Sequence, residues 1–242
     1  AAFLNFLKRY PVSKHMAKAR NILYYLLVDN DQPLPPTVVN DSIRHVRNLE
    51  QDYLVPFLKD GKFGFMNSTG KEVIKPIADE LEKEYRCGNI TEELLVVADK
   101  IIGRNGAVIF SGEVDEADDL GNGYLLVSVG KCSSVIHKSG FVLDACVQDA
   151  RVIADAFVAL KKNNRWSMVT LLGRSVPLGD FDDIDSFDEV VVLKQANKIR
   201  LSKKESIAKA VDQGAPVYTR NFDEVKRWDG NMLWVRAGDT QG

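Results

Sequence analysis

The sequence has few of the residues that build covalent frameworks, metal sites and catalytic centres. Its 242 residues include three cysteines and three histidines. The cysteines, Cys87, Cys132 and Cys146, are an odd number without a CxxC pair, so neither a disulfide framework nor a structural zinc site is expected. The GxSxG and HExxH motifs of hydrolases are also absent from the sequence. No motif therefore assigns a catalytic, cofactor-binding or metal-binding residue.

Excess charge and long apolar runs are lacking as well. The 32 Lys and Arg residues nearly balance 34 Asp and Glu residues, so no large field attracts nucleic acid or an anionic membrane. The longest apolar run near the start, residues 22–28, falls far short of the roughly 20 residues that cross a bilayer. We expect no nucleic-acid partner and no transmembrane segment. The overall composition, with 45% hydrophobic and 27% charged residues, is typical of a globular protein with a substantial core.

Residues 1–52 carry the three- and four-residue apolar spacing of amphipathic helices. Pro11 divides the first 28 residues into a predicted helical hairpin, and Ser13 is a candidate N-cap for its second helix. The Pro-rich stretch 29–36 predicts a turn or extended linker. Asn40 or Asp41 can then cap a third helix that runs to about Asp52.

The stretch FLKRYPVSKHMAKAR in this segment resembles a junction in tetratricopeptide-like arrays. A helical cap packed on the following domain accounts for the same pattern, and both interpretations stay open. We assign residues 1–52 to a helical segment and residues 53–242 to a second domain.

From residue 53 the sequence changes to short apolar strands with an internal period. Strands are predicted to begin near residues 53, 94, 124, 157, 190 and 232, so the spacings are 41, 30, 33, 33 and 42. A unit of about 33 residues cannot bury both faces of its strands alone, and neighbouring copies must stack.

Residues 146–160 are predicted as strand and turn despite their helical composition. Residues 202–213, with Ser202 as a possible cap, are predicted as a helical insertion.

The turns between paired strands share a short motif. It stands as Gly61-Lys62-Phe63-Gly64, as Asn164-Arg165-Trp166-Ser167 and, in degenerate form, at residues 130–133 and 197–200. With the following apolar strand, Gly turn and acidic element, the pattern resembles the WG repeat family over about residues 53–242. The resemblance implies a mainly β fold of tandem repeats, stacked as a propeller-like ring or an open β-solenoid. Its large aromatic residue would pack between adjacent repeats.

Several candidate sites have plainer explanations. The GFMNSTGK stretch at residues 64–71 has one residue too many for a phosphate loop, and a hairpin turn is favoured. His15 and His45 are expected on helix surfaces or at interfaces, and His137 has no orienting carboxylate to pair it with Cys132 in catalysis. The acidic stretches at residues 115–119 and 180–189 lack the Gly and Glu positions of a calcium loop, and solvated turns are favoured.

Aromatic residues near the C-terminus leave two interpretations. They could form a recognition patch or a glycan platform, but packing against a following repeat unit is favoured. The residues concerned are Tyr218, Phe222, Trp228 and Trp234.

Together these patterns predict a non-catalytic scaffold or binding module, without a cofactor, that contacts a protein partner in a bacterial cell or its envelope. The resemblance to WG repeats supplies the bacterial setting, and an envelope location is slightly favoured. The alternatives are a glycan- or Ca²⁺-binding module, or the regulatory part of an enzyme whose catalytic module lies elsewhere. The absence of an initial Met and a last copy that stops within its motif indicate a piece of a longer repeat protein.

Overall fold

The structure is a computed structural model, and it describes residues 2–50, 52–86, 88–214, 218, 221–228 and 232–241. The chain forms two compact units. The first comprises Ala1–Gly130 with Ile136–Val142, and the second comprises Lys131–Val135 with Leu143–Gly242. The predicted division into residues 1–52 and 53–242 stays a prediction.

The helical segment lies in the first unit. Its helices are α1 (Ala2–Arg9), α2 (Met16–Val28) and α3 (Asp41–Glu50). The predicted hairpin and third helix are therefore confirmed, and Asn40 caps α3 because its Oδ1 accepts the Ile43 N–H at 2.9 Å. Ser13 was wrongly expected to cap α2. His15 is the residue before that helix, and Ser13 Oγ accepts the His15 N–H instead.

Two small sheets follow in the first unit. The first has the order β1-β2-β3 and the second has the order β4-β5-β6. A short 3-10 helix at Lys83–Tyr85 separates them. The strands are β1 (Leu54–Lys59), β2 (Lys62–Asn67), β3 (Glu72–Ala78), β4 (Leu94–Val96), β5 (Lys100–Gly103) and β6 (Val108–Ser111).

The third sheet has four strands in the order β10-β9-β8-β7. Its strand β8 is buried at four consecutive positions, 124–127, as expected for a strand covered on both faces. The strands are β7 (Glu116–Gly121), β8 (Tyr124–Val129), β9 (Cys132–His137) and β10 (Val142–Val147).

Three further sheets belong to the second unit. Their orders are β11-β12-β13, β14-β15-β16 and β17-β18-β19. Helix α4 (Lys204–Gln213) follows β16 and confirms the predicted insertion. The strands are β11 (Asp149–Ile153), β12 (Phe157–Lys162), β13 (Arg165–Thr170), β14 (Asp183–Phe187), β15 (Val190–Gln195), β16 (Lys198–Lys203), β17 (Glu224–Arg227), β18 (Leu233–Ala237) and β19 (Thr240–Gln241).

The strands have a regular spacing along the chain. Strands begin at Leu54, Leu94, Tyr124, Phe157, Val190 and Leu233, each within one residue of its expected position. Two-residue turns with positive φ join the paired strands, as at Asn163-Asn164 with φ of 50° and 59°. Asn tolerates this left-handed conformation, which matches the twist of a hairpin.

Two local expectations are wrong. Ser202 does not cap α4, because it is buried in β16 and the residue before the helix is Lys203. The acidic stretches at residues 115–119 and 180–189 are not only turns, since β7 and β14 begin within them. In both places, pairing with the neighbouring strand extends the sheet beyond the turn residues.

The large aromatic residue of the motif packs as predicted in the second unit. Trp166 is 2% exposed and lies in a core with Ile184 and Leu193 of the following sheet and Ile207 of α4. Arg151 covers its ring, with the guanidinium carbon 4.1 Å from the ring centroid. Among the described residues, the mainly β architecture consists of six small antiparallel sheets. No helix in the described part of the chain is long and apolar enough to span a membrane.

Candidate interaction surface

The histidines do not form a catalytic site in the described structure. His15 lies exposed before α2, and the side chain of His45 lies outside the described part. His137 is fully buried, and its Nδ1 accepts hydrogen bonds from the Ser139 hydroxyl at 2.7 Å and the Ser139 N–H at 3.1 Å. We assign the proton of the neutral ring to Nε2, which has no hydrogen-bond partner among the described residues.

Aromatic rings and positive charges surround His137 in the first unit. The Phe141 ring stacks on it at 4.7 Å, and Tyr25 of α2 packs edge-on at 5.3 Å. Burial lowers the pKa of His137 to about 3, and the positive charges of Lys138 and Lys18 reinforce the shift. A histidine with this pKa is neutral at physiological pH and is a poor general acid.

The buried Lys138 has a structural explanation. Its Nζ lies 2.8 Å from carboxylate oxygens of both Glu93 and Asp119. Burial alone would lower the pKa of Lys138, but hydrogen bonds and charges from Asp119 and Glu93 outweigh that effect and raise it. The ammonium group is therefore charged and satisfied, as buried charges must be.

Next to Lys138, the C-terminal end of α2 joins the turn between β7 and β8. Asp29 Oδ2 accepts the Gly123 N–H at 2.7 Å, and Asn30 Nδ2 donates to Asn122 Oδ1 at 2.8 Å. Burial raises the pKa of Asp29, although Lys138 and the Gly123 N–H counteract the increase. These groups, which we call the helix joint, attach the helical segment to the sheets of the first unit. Sequence periodicity could not reveal the helix joint, because Asp29 and Gly123 are 94 residues apart in the chain.

The acidic stretches are occupied by ion pairs and turn contacts. Asp183 lies 3.0 Å from Arg151 and 2.9 Å from Lys194, and Asp182 pairs with Arg165. Burial alone would raise the pKa of Asp183, but Lys194 and Arg151 outweigh it and lower the pKa. Within the described ranges, no three His, Cys, Asp or Glu residues are grouped so that they could hold a metal ion.

Cys132 and Cys146 form a disulfide in the second unit. The expectation drawn from the cysteine count is wrong at this pair, because the fold brings the ends of β9 and β10 together. With its sulfur bonded to Cys146, Cys132 is not a thiolate nucleophile in this structure. Cys87 lies outside the described residues.

The C-terminal aromatic residues divide into two groups. Phe222 is buried, while Trp234 and Tyr218 are partly buried and lie under Lys226 and Arg200, respectively. These three side chains contact other residues of this chain, and their packing against a following unit stays a prediction. Trp228 differs from them, because 71% of its surface is exposed.

The backbone of Trp228 adjoins a small groove in the second unit, which we call the Trp228 groove. The Trp228 N–H donates to the Met232 carbonyl at 3.0 Å, and Met232 is 57% exposed at the edge of the groove. The groove has a volume of about 200 Å³. Apolar and charged side chains line it: Phe187, Asp188, Glu189, Val190, Arg227, Met232 and Leu233.

Charges of both signs border the apolar floor. Arg227 Nη2 lies 3.8 Å from Asp188 Oδ1, and both side chains are more than half exposed. Glu189 is held by Lys204 at 2.9 Å, and that hydrogen bond lowers the pKa of its carboxyl. An exposed Trp with Met and Arg beside an apolar depression has the composition of a protein-interaction hot spot.

A second depression, of about 620 Å³, lies in the helical segment of the first unit. Tyr24, Val28 and Leu34 provide its apolar part, and Arg47 adds a positive charge. Val28 is 42% exposed, whereas Trp228 is 71% exposed.

Comparison with known proteins agrees with the repeat pattern in one stretch. No curated protein matches the chain. A solved structure, "Crystal structure of WD40 beta propeller domain of Doa1", is similar over 83% of this chain and 74% of that chain, at 12% identity and a TM-score of 0.28. A score this low does not establish a shared fold. The sequence model of the WG containing repeat matches residues 63–84, the stretch that holds β2, β3 and the 3-10 helix, and so supports the WG repeat resemblance there.

Proposed function

We propose that this chain is a non-catalytic repeat scaffold that binds a partner protein through the Trp228 groove. The observation that carries the proposal is the exposure of Trp228 and Met232 beside an apolar depression. Large side chains of this kind contribute most of the binding energy when a partner removes them from water. The buried His137 and Lys138 groups, in contrast, are used within the fold.

The wider architecture belongs to the same proposal. WG repeats extend over residues 53–242 in a propeller-like or open arrangement, and residues 1–52 are a tetratricopeptide-like segment. The match at residues 63–84 and the regular strand spacing support the repeats. The setting we propose is a bacterial cell or its envelope.

Site-specific photo-crosslinking tests whether the groove meets a protein. A benzophenone amino acid replaces Trp228 in the full chain and, as the matched control, Leu172, which is 50% exposed in the same unit and outside the groove. We expect a discrete crosslinked protein from position 228 and not from position 172 after irradiation of the source cells. The same adducts at both positions, or none at position 228, contradict the proposal.

Binding measurements then test the side chains themselves. Trp228→Ser should weaken binding of the identified partner about tenfold or more, because hot-spot residues contribute about 2 kcal/mol or more. Leu172→Ser should leave it unchanged. Calorimetric titration with soluble glycans and with Ca²⁺ tests the alternatives, and a stoichiometric heat with either contradicts a pure protein scaffold.

A further inference from the structure

We propose that the Cys132–Cys146 disulfide is a thiol–disulfide exchange site that a dithiol reductant opens while the protein stays folded. Cys132 begins β9 and Cys146 lies in the neighbouring strand β10, with Cα atoms 4.4 Å apart. The inference depends on this pair alone and is independent of the Trp228 groove.

Exposure makes the bond accessible. Exchange requires an external thiolate to approach one of the two sulfur atoms, so reactivity depends on access as well as on thiol chemistry. Both Cys132 and Cys146 are exposed, whereas the next residue of β10, Val147, is 2% exposed. The disulfide thus lies at the surface of the second unit and outside its core.

The backbone around Cys146 indicates what the bond holds in place. Cys146 has a φ of 55°, in the left-handed region that residues with a Cβ rarely adopt. Two residues later, Gln148 is fastened to the next sheet. Its N–H donates to the Lys161 carbonyl at 2.8 Å, and its Oε1 accepts the Asn164 N–H at 2.7 Å.

The segment 146–148, which comprises the last two residues of β10 and the link to β11, is therefore attached on two sides. The disulfide attaches it to β9, and the contacts of Gln148 attach it to β12 and its turn. Reduction removes only the first attachment. The Asp144–Lys162 ion pair at 2.8 Å and the buried Val147 remain to hold β10, so the expected change is confined to this link.

The exchange is a balanced two-electron reduction. One thiolate of the reductant bonds to a cystine sulfur, the Cys132–Cys146 bond breaks, and the other protein sulfur leaves as a thiolate. The second thiol of the reductant then attacks the mixed disulfide and releases the remaining cysteine. The reductant ends as a disulfide, and its two thiol protons end on Cys132 and Cys146.

Thiol counting in the full chain tests the site. The Cys87→Ser variant removes the third thiol, and it should show no free thiol in denaturant after purification in air. Treatment of the folded variant with dithiothreitol, followed by iodoacetamide, should add two carbamidomethyl groups, at Cys132 and Cys146. Far-UV circular dichroism should stay unchanged, and amide exchange at residues 145–148 should become several-fold faster. In a sample that is reduced but not alkylated, replacing dithiothreitol with air-saturated buffer should restore the disulfide, because dissolved oxygen accepts the two electrons and two protons that the thiols lose.

Three results overturn the proposal. Two free thiols before treatment mean that the bond does not form in solution. Reduction that requires denaturant means that the bond is not accessible in the folded chain. Loss of the circular dichroism signal on reduction means that the bond maintains the whole fold. The double variant Cys132→Ser/Cys146→Ser gives the reference, since it should show the fast exchange at residues 145–148 with or without reductant.

Discussion

At the scale of single residues, Gly64 shows why the repeat motif places a glycine after its aromatic residue. A Cβ at Gly64 would lie 2.7 Å from both the Ile74 carbonyl oxygen and the Pro76 nitrogen. The pairing of β2 with β3 is irregular on either side of Gly64, and this irregularity brings the β3 backbone close. Space, and not a left-handed φ, therefore requires glycine here.

Gly64→Ala should accordingly destabilise the first sheet through a backbone clash. We expect a loss of about 1–3 kcal/mol in the free energy of unfolding, measured by urea denaturation. Gly61→Ala is the matched control, because Gly61 has a φ of 77° and a Cβ there would meet no described atom within 4 Å. The control pays only the conformational cost of about 1 kcal/mol. Equal losses in the two variants would contradict the close-packing argument.

His137 leads to a prediction about pH. Its pKa is about 3 in the folded protein and 6.5 ordinarily, so the unfolded chain takes up this proton first as the pH falls. Stability is lost progressively below pH 6.5 and reaches its full loss below pH 3. Between pH 7 and pH 4.5, His137 should lower the free energy of unfolding by about 2–3 kcal/mol.

The variant His137→Phe isolates this contribution. Phe keeps an aromatic ring beside Tyr25 and Phe141 but cannot be protonated. Urea denaturation at pH 7 and pH 4.5 should show a smaller acid-induced decrease in the unfolding free energy for the variant than for the wild type. Carboxyl groups such as Asp29 titrate in both proteins and cancel in the comparison. Equal decreases in both would show that His137 does not resist protonation.

At the scale of elements, the helix joint depends on a close approach between α2 and the turn at Asn122-Gly123. A Cβ at Gly123 would lie 2.5 Å from the Tyr25 Cβ and 2.8 Å from His137 Nε2. Gly123→Ala should therefore displace α2, and amide exchange in Met16–Val28 should become at least several-fold faster. Gly121→Ala is the control, since Gly121 has a similar φ of 81° with no described atom within 4 Å of a Cβ. Equal exchange rates of α2 in the two variants would contradict the joint.

The elements themselves were largely predictable from sequence, because their signals are local. Alternation, turn glycines and the 33-residue spacing placed the first strand of each hairpin within one residue. The caps of α2 and α4 were wrong because strand pairing and local turns decided where those helices begin. The helix joint and the Cys132–Cys146 bond could not be predicted, since both depend on contacts that the sequence period does not encode.

At the scale of the whole molecule, the sequence predicts only part of the candidate interaction surface. The cluster of C-terminal aromatic residues could be seen, but their sequence positions do not distinguish Trp228 from Trp234. Pairing of β17 with β18 makes the distinction, because Trp234 lies opposite Lys226 within the sheet and Trp228 lies beyond its last pair. Exposure therefore follows from where strand pairing ends.

The proposed stacking of repeats predicts that damage to one core spreads to adjacent sheets and no further. Trp166→Ala removes the central ring from a core shared by the fourth and fifth sheets, and should cost about 3–5 kcal/mol. Stability in a repeat array is transmitted between nearest neighbours. Hydrogen exchange should therefore show lost protection in β11–β16, while β1–β3 keep theirs, since the core around Phe65 shares no described residue with the core around Trp166. Phe65→Ala is the reciprocal variant and should expose β1–β3 first, whereas a uniform loss of protection in both variants would identify one cooperative fold.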